Sequence, residues 1–382
     1  MRPAPEPSVL DDLCDRAPSY VRAIAPYQPG TPIAAVAREI GLEPSAIVKL
    51  ASNENPRGMS PLARQAVEAA LAGASRYPDG FALTQAIAGA THVAPGQVVL
   101  GNGSNDVLEM VASAFLAPGC SAVFSQYAFA VYPLATQARG ARALVVPARD
   151  FGHDLPAMRA VIAADTRVVF IANPNNPTGT RLAMPAIGEF LATVPADVVV
   201  VLDEAYNEYL PRGERAGSVA WLESHPNLVI TRTFSKAYGL AGLRVGYALA
   251  HPRVADLLNR VRQPFNVNTL ALAAAEAALD DTAFVEASCE LNHRGMRQIV
   301  EGVTGLGLGH IPSAGNFVCV EFPRAGGEPR AAAVFQGLLR RGVIVRPLAN
   351  YGMPNHLRVT IGLPAENARF LDALHETRAE TG

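Results

Sequence analysis

Residues 227–250 read NLVITRTFSKAYGLAGLRVGYALA. An apolar β-like run passes through a small hydroxyl-bearing turn to Lys236, and Arg244 follows eight positions later among Gly239, Gly242 and Gly246, which allow close backbone approach. The segment therefore packs cation, hydroxyl and glycine at the end of a strand. A lysine here would form a Schiff base if neighbouring charge freed its amine. Arg244, Thr233 and Ser235 would hold a phosphate through charge-assisted and hydroxyl hydrogen bonds. Taken singly, each is also an ordinary residue of a Gly-rich loop; the combination carries the reading.

Outward from this stretch, residues 51 to about 265 alternate short apolar runs (QVVL, SAVF, ARALVVP, RVVFIA, DVVVVLD) with amphipathic segments such as NDVLEMVASAFL. That alternation predicts an α/β domain whose large, mostly parallel sheet lies buried between helices. Within it, PLARQAVEAALAG reads as a helix started by Ser60 and Pro61. Residues 267–304 turn helical. NFVCVEF and HLRVTIG then alternate with AAAVFQGLLRRG and NARFLDALHETRA, which predicts a smaller α+β domain. The expected division is an N-terminal arm over 1–50, a large domain over 51–265 and a small domain over 266–382. The 382 residues agree, at roughly 150 per domain, with a two-domain chain.

Three further segments end apolar runs with polar groups. DVVVVLDEAY puts Asp203 where the carboxyl end of a parallel strand opens into a crevice. An ionised carboxylate there needs a partner such as a protonated heteroaromatic nitrogen, although a turn or N-cap aspartate reads the same locally. GNGSNDVLEM follows QVVL and opens a helix capped by Ser104 or Asn105, whose N–H groups suit one phosphate or an ordinary capped turn. It has neither the P-loop lysine nor the GxGxxG spacing. IANPNNPTGT follows RVVFIA, and its prolines would hold the Asn176 side chain still enough to donate to a ring substituent. Asp203, Asn176 and Lys236 all follow buried strands and should converge on one sheet edge. Tyr127 would lay its ring on a flat ligand and Tyr206 would donate its hydroxyl, where packing is the alternative role for both.

Composition removes several function classes. Apolar residues are 49% and charged residues 17%, as in a globular protein. With 32 bases and 34 acids the formal charge is -2, so no basic excess points to nucleic acid or an anionic membrane. Apolar runs fall short of the 18 or more residues of a spanning helix, and the first 30 residues lack a signal-peptide core. Four scattered cysteines suggest neither a disulfide framework nor a zinc knot, and eight histidines form no HExxH. A cytoplasmic protein without a metal is expected.

The motifs APYQPG, LASNENPRGMSP, RYPDG, GNGSND, NPNNPTG, LDEAYNEY, TFSKAYGLAGLRVGY, NFV and VRPLANYG…LRVTIG span residues 25–362. Together they resemble the pyridoxal-phosphate aminotransferases of the aspartate aminotransferase fold (fold type I), which implies seven strands in the large sheet, and within them the histidinol-phosphate branch. The resemblance implies pyridoxal 5'-phosphate bound covalently by Lys236, its pyridine nitrogen on Asp203, and its ring oxygen on Asn176 and Tyr206. Ser104, Asn105, Thr233, Ser235 and Arg244 would grip the phosphate and Tyr127 would stack on the ring. It further implies a homodimer in which Tyr77 of RYPDG reaches the phosphate of the neighbouring subunit. Tyr27, Asn53, Arg346 and Arg358 would face the substrate.

The activity so implied is reversible amino transfer between L-histidinol phosphate and 2-oxoglutarate, in histidine biosynthesis. Its rivals are an aromatic-amino-acid aminotransferase with the same machinery and a decarboxylase of a phosphorylated amino acid. A cofactor-binding sensor domain is disfavoured, because the catalytic fold consumes the chain and leaves no DNA-binding unit. The motif set departs from its relatives at SQYAFAVY, where many have PTYxxY and Ala130 would replace the second tyrosine.

Overall fold

Apolar residues at every position of a strand, rather than at alternate ones, demand cover on both faces. The computed structural model, which describes residues 13–26, 30–215, 217–323 and 330–381, supplies that cover. Its large sheet is built from β2 (Val98–Gly101), β3 (Ser121–Ser125), β4 (Arg142–Val146), β5 (Thr166–Ala172), β6 (Val199–Asp203), β7 (Leu228–Thr233) and β8 (Gly246–Ala250), β1 being the short strand Val48–Lys49. The seven strands run in the order β2-β8-β7-β6-β5-β3-β4. β3 to β7 are mutually parallel and β8 is antiparallel to both its neighbours.

Successive side chains go to opposite faces. Val169 and Ile171 of β5, Val200 and Leu202 of β6, and Leu228 and Ile230 of β7 join one core, packed under the helices Phe81–Thr91 and Met184–Thr193. Val168, Phe170, Val199, Val201 and Val229 join the other, under Ser104–Phe115, Val131–Ala138 and Pro252–Val261. The edge strand β4 is largely exposed. Ser60 caps Pro61–Ala70, its hydroxyl accepting from Ala63 N–H. The helix after β2 starts one residue earlier than the sequence predicts: Gly103, at φ 84°, is its N-cap, and Ser104 is already helical.

A second layer follows. β9 (Gly309–Ile311), β10 (Phe317–Glu321), β12 (Arg346–Pro347) and β13 (His356–Thr360) form a sheet in the order β12-β13-β10-β9, and β11 (Val343–Ile344) pairs in parallel with β1. Leu50, Val318, Val343, Val359 and Phe370 share its core. The N-terminal segment is thereby tied to this smaller unit. The boundary expected at residue 266 moves, because Ala271, Leu272, Ala274, Ala275 and Ala278 of the helix Thr269–Asp280 bury in the core of the large sheet. The long helix Thr282–Gly305 then leads into the smaller unit. No helix among the described residues is long and apolar enough to cross a membrane.

Candidate active site

Parallel strands present their carboxyl ends at one edge, and there β5, β6 and β7 end in Ala172, Asp203 and Thr233. Gly101↔Gly246 pairing brings the end of β2, and the helix that follows, to the same edge. A cavity of about 320 Å³ opens between this edge and β12–β13 of the smaller unit. Such a volume is ordinary for a small-molecule site, roughly 300–1,000 Å³. Its lining includes Ser104, Asn105, Asn176, Asp203, Tyr206, Thr233, Ser235, Lys236, Arg244, Asn53, Arg346 and Arg358, residues spread over more than 300 positions.

Lys236 Nζ donates to Ser52 O at 3.2 Å and lies 5.7 Å from the Tyr206 ring centroid. Burial, reinforced by the nearby Arg358 cation, lowers its pKa to about 8. A free amine is then available near neutrality.

Asp203 is buried, and burial raises its pKa. The phenol of Tyr132 donates to Oδ2 at 2.8 Å, while the hydroxyl of Thr231 and the N–H of Ala205 donate to Oδ1 at 3.1 and 3.3 Å. These donors are all neutral. A buried carboxyl whose hydrogen-bond donors are all neutral is placed to pair with a cation entering the cavity.

Arg244 sits at φ 62°, with Nη1 donating to Ser235 Oγ at 3.4 Å and to Ala241 O at 2.9 Å. A Cβ on Gly103 would come within 2.4 Å of its Nη2, and a Cβ on Gly246 within 2.6 Å of Ser104 N. Only glycines let the guanidinium and the helix start approach so closely. The result is an anion cradle made of a helix N-terminus, an arginine and two hydroxyls.

On the far side Arg358 Nη1 donates to Asn176 Oδ1 at 2.6 Å and Nη2 to Ala51 O at 2.9 Å, while its buried Nε has no partner among the described residues. The contact orients the Asn176 amide, leaving Nδ2 as its donor end. Arg346 stands opposite Arg358 in the β12–β13 register. Asn53, at φ 55°, lines the cavity with its amide already engaged: Nδ2 donates to Tyr206 OH at 2.9 Å and Oδ1 accepts from Thr360 at 3.1 Å. It sets the Tyr206 hydroxyl. Burial pushes that phenol up to about 12, so it keeps its proton.

One residue expected at the cavity, Tyr127, falls outside its lining. Tyr127 stacks on Phe151, with ring centroids 5.8 Å apart, and packs with Ile311 and Met353 outside the lining. Phe129 occupies the cavity wall in its place, because the chain turns after β3 so that the second aromatic of YAF faces the site. Two residues beyond Ala130, Tyr132 is fully buried and stacked on Phe170 with centroids 4.7 Å apart. Its position in the first turn of a helix gave it no catalytic signature beyond the three closely spaced aromatics of YAFAVY. Tyr77 is 80% exposed, stacked on Phe265 at 4.5 Å, and does not line the cavity of its own chain. Tyr27 lies outside the described residues. Among the described residues no group of three or more acidic, histidine or cysteine side chains is placed to hold a metal ion.

Comparison with known proteins converges on one family. The model of aminotransferase class I and II matches residues 45–374. Histidinol-phosphate aminotransferase 1 of Dechloromonas aromatica (strain RCB) is 63% identical over 364 residues, covering 95% of this chain and 99% of that protein. Histidinol-phosphate aminotransferase 2 of Pseudomonas fluorescens (strain Pf0-1) is 61% identical over 361 residues, covering 94% and 96%. Among solved structures, the histidinol-phosphate aminotransferase of Sinorhizobium meliloti in complex with pyridoxal-5'-phosphate superposes with a TM-score of 0.86 at 27% identity, covering 96% and 98%. A family model over residues 45–374 and relatives of 61–63% identity along nearly their whole length place this chain, with its lysine, buried aspartate and anion cradle at one sheet edge, in the class I and II aminotransferases.

Proposed function

We propose that the chain catalyses reversible amino transfer between L-histidinol phosphate and 2-oxoglutarate, giving imidazole acetol phosphate and L-glutamate, with pyridoxal 5'-phosphate as cofactor. The observation that carries this reading is the convergence of Lys236, Asp203 and the Ser104–Arg244 cradle on one cavity. The cavity suits the cofactor chemically: Asp203 is placed to pair with a cation, the cradle gathers an arginine, two hydroxyls and a helix start for a phosphate, and Lys236 offers an amine of lowered pKa. When bound, the cofactor supplies the electron sink that makes the Cα–H of an amino donor acidic.

The chain's own groups do the rest. Lys236 Nζ would hold the cofactor and, once released, take the Cα proton and return it. Asp203 would keep the ring nitrogen protonated by charge. Asn176 Nδ2 and the Tyr206 hydroxyl would donate to the ring oxygen, and Phe129 would cover a ring face. Backbone N–H groups of Ser104 and Asn105, with Thr233, Ser235 and Arg244, would bind the phosphate. Arg346 and Arg358 would take the anionic end of each substrate, phosphate in one half-reaction and carboxylate in the other, by planar bidentate contacts.

The enzyme would work as a homodimer. Support comes from the exposed Tyr77–Phe265 stack, which places the aromatic of RYPDG at the surface, ready for a neighbouring subunit's phosphate site. A cytoplasmic setting is supported by four free cysteines. A substrate panel tests the assignment: kcat/KM should be highest for histidinol phosphate, and a higher value for phenylalanine would replace it by an aromatic-amino-acid specificity.

A further inference from the structure

Asp203 and Glu204 are consecutive acids at the end of β6, each 4% exposed. Successive strand residues face opposite ways, so Asp203 lines the cavity and Glu204 does not. Glu204 is met by Arg232 of β7, whose Nε donates to Oε2 at 2.8 Å and whose Nη2 lies 2.7 Å from the same oxygen. The two side chains are 5% and 7% exposed. Arg232 stands between Thr231, which donates to Asp203, and Thr233 of the phosphate cradle. The backbone N–H of Glu204 also donates to Thr231 O at 2.9 Å. The ion pair thus sits directly behind the last Asp203↔Thr231 rung of the sheet.

Two neighbouring carboxylates in a low-dielectric interior repel, and the usual outcome is that one takes up a proton. Here the protein gives its own cation to Glu204 and only neutral donors to Asp203. We propose that Arg232 is a positioning residue that cancels the charge of Glu204, leaving Asp203 ionised and aimed for the ring nitrogen of the cofactor. The inference rests on the assignment of Asp203 to that nitrogen.

Other titratable groups surround the pair. Around Arg232 and Glu204 they are Glu208 from the turn after β6, Tyr247 of β8 and Tyr238 after β7, with Arg215 facing Glu208. Around Asp203 they are Tyr132, Tyr206 and Lys236. Burial pushes Glu208 up to about 7, so in acid it is neutral and Arg232 serves Glu204 alone.

The test is the pH dependence of pyridoxal-phosphate affinity of the full-length chain, measured by fluorescence after the cofactor has been removed and added back. Its acid-side midpoint includes the ionisation of Asp203, while the phosphate's own titration, at about pH 6, is common to every variant. Arg232→Met leaves Glu204 uncompensated and should raise that midpoint by one pH unit or more. Glu204→Gln leaves Arg232 in excess and should lower it. The double variant should return close to the wild-type midpoint, and Arg232→Lys should be intermediate. A purely structural role would weaken all four variants without opposite shifts. If Arg232→Met does not fold, a Glu204→Gln midpoint that is unmoved or raised overturns the proposal by itself. A wild-type chain that takes up no pyridoxal phosphate removes the functional reading and this proposal with it; wild-type uptake with both single variants shifted the same way overturns this proposal alone.

Discussion

The Tyr132 phenol donates a 2.8 Å hydrogen bond to Asp203 Oδ2, joining a helix over one face of the sheet to the end of its central strand β6. Burial first, and then the Asp203 charge, hold the phenol pKa well above its usual value, so Tyr132 is a donor at every working pH. Tyr132→Phe keeps the ring and its stack on Phe170 but removes that donor. A hydrogen bond to a charged group contributes about 1.5–3 kcal/mol, so kcat/KM should fall roughly 10- to 100-fold. Steady-state kinetics decides it, and an unchanged value would mean that Thr231 and Ala205 hold Asp203 alone.

Phe129, rather than Tyr127, should govern cofactor retention. Phe129→Ala removes an aromatic from the cavity wall, and pyridoxal phosphate should bind about tenfold more weakly. Tyr127→Ala, which disturbs the packing against Phe151, should chiefly lower Tm. Equilibrium dialysis and thermal melts separate the two, and the opposite pattern would return the stacking role to Tyr127.

Lys236 reacts as the free amine. With its pKa lowered to about 8, the rate of cofactor capture should climb between pH 7 and 9 and level off above. Arg358→Gln removes a nearby positive charge and should move that midpoint upward. Stopped-flow absorbance measures both; a pH-independent rate would point to a step other than amine attack.

His153 is a source of acid lability. It is buried, with Nε2 beside Ala172 O at 3.0 Å and Nδ1 unpartnered, and burial lowers its pKa to about 4. Between its ordinary value of about 6.5 and 4, the unfolded chain binds a proton that the native state refuses. Stability is therefore present in full above about pH 6.5 and falls as pH drops toward 4, by about 3 kcal/mol if this group acts alone. His153→Gln should flatten the fall in urea-denaturation midpoints from pH 7 to 4.5, even if it lowers stability at pH 7. An equally steep fall would assign the lability to another group.

The shared-site reading makes a mixing prediction. Tyr77→Ala and Lys236→Ala are each expected to cripple the proposed homodimer. Co-refolded in equal amounts, they should regain about a quarter of wild-type activity, since hybrids hold one site with both residues intact. Mixtures no better than their parents would exclude a Tyr77 contribution across the interface.

What was legible in the sequence depended on how locally each feature is encoded. Apolar runs ending in Asp203, Thr233 and Ala172 report buried parallel strands and their functional edge, because burial on both faces leaves a pattern within each strand. Lys236, Arg244, Ser104 and Asn176 were found through the turns that carry them. The helix Thr269–Asp280 was placed with the wrong unit, since an alanine-rich face does not say which core it will enter. The sequence points to Tyr127 for the ring, yet three aromatics close together leave open which one faces the cavity, and Phe129 is the one in its wall.

By itself, then, the sequence determined the α/β class, the mostly parallel buried sheet, the edge at which the chemistry gathers and the residue types that gather there. Periodicity and strand-end residues are local consequences of burial. Only the tertiary structure decided that Tyr132 serves Asp203, that Asn53 is committed to Tyr206 and Thr360, that Arg358 orients Asn176 from another unit, and that Arg232 is committed to Glu204. Each of these links residues 28 to 307 positions apart, and which of several nearby side chains meets a buried charge is settled by packing.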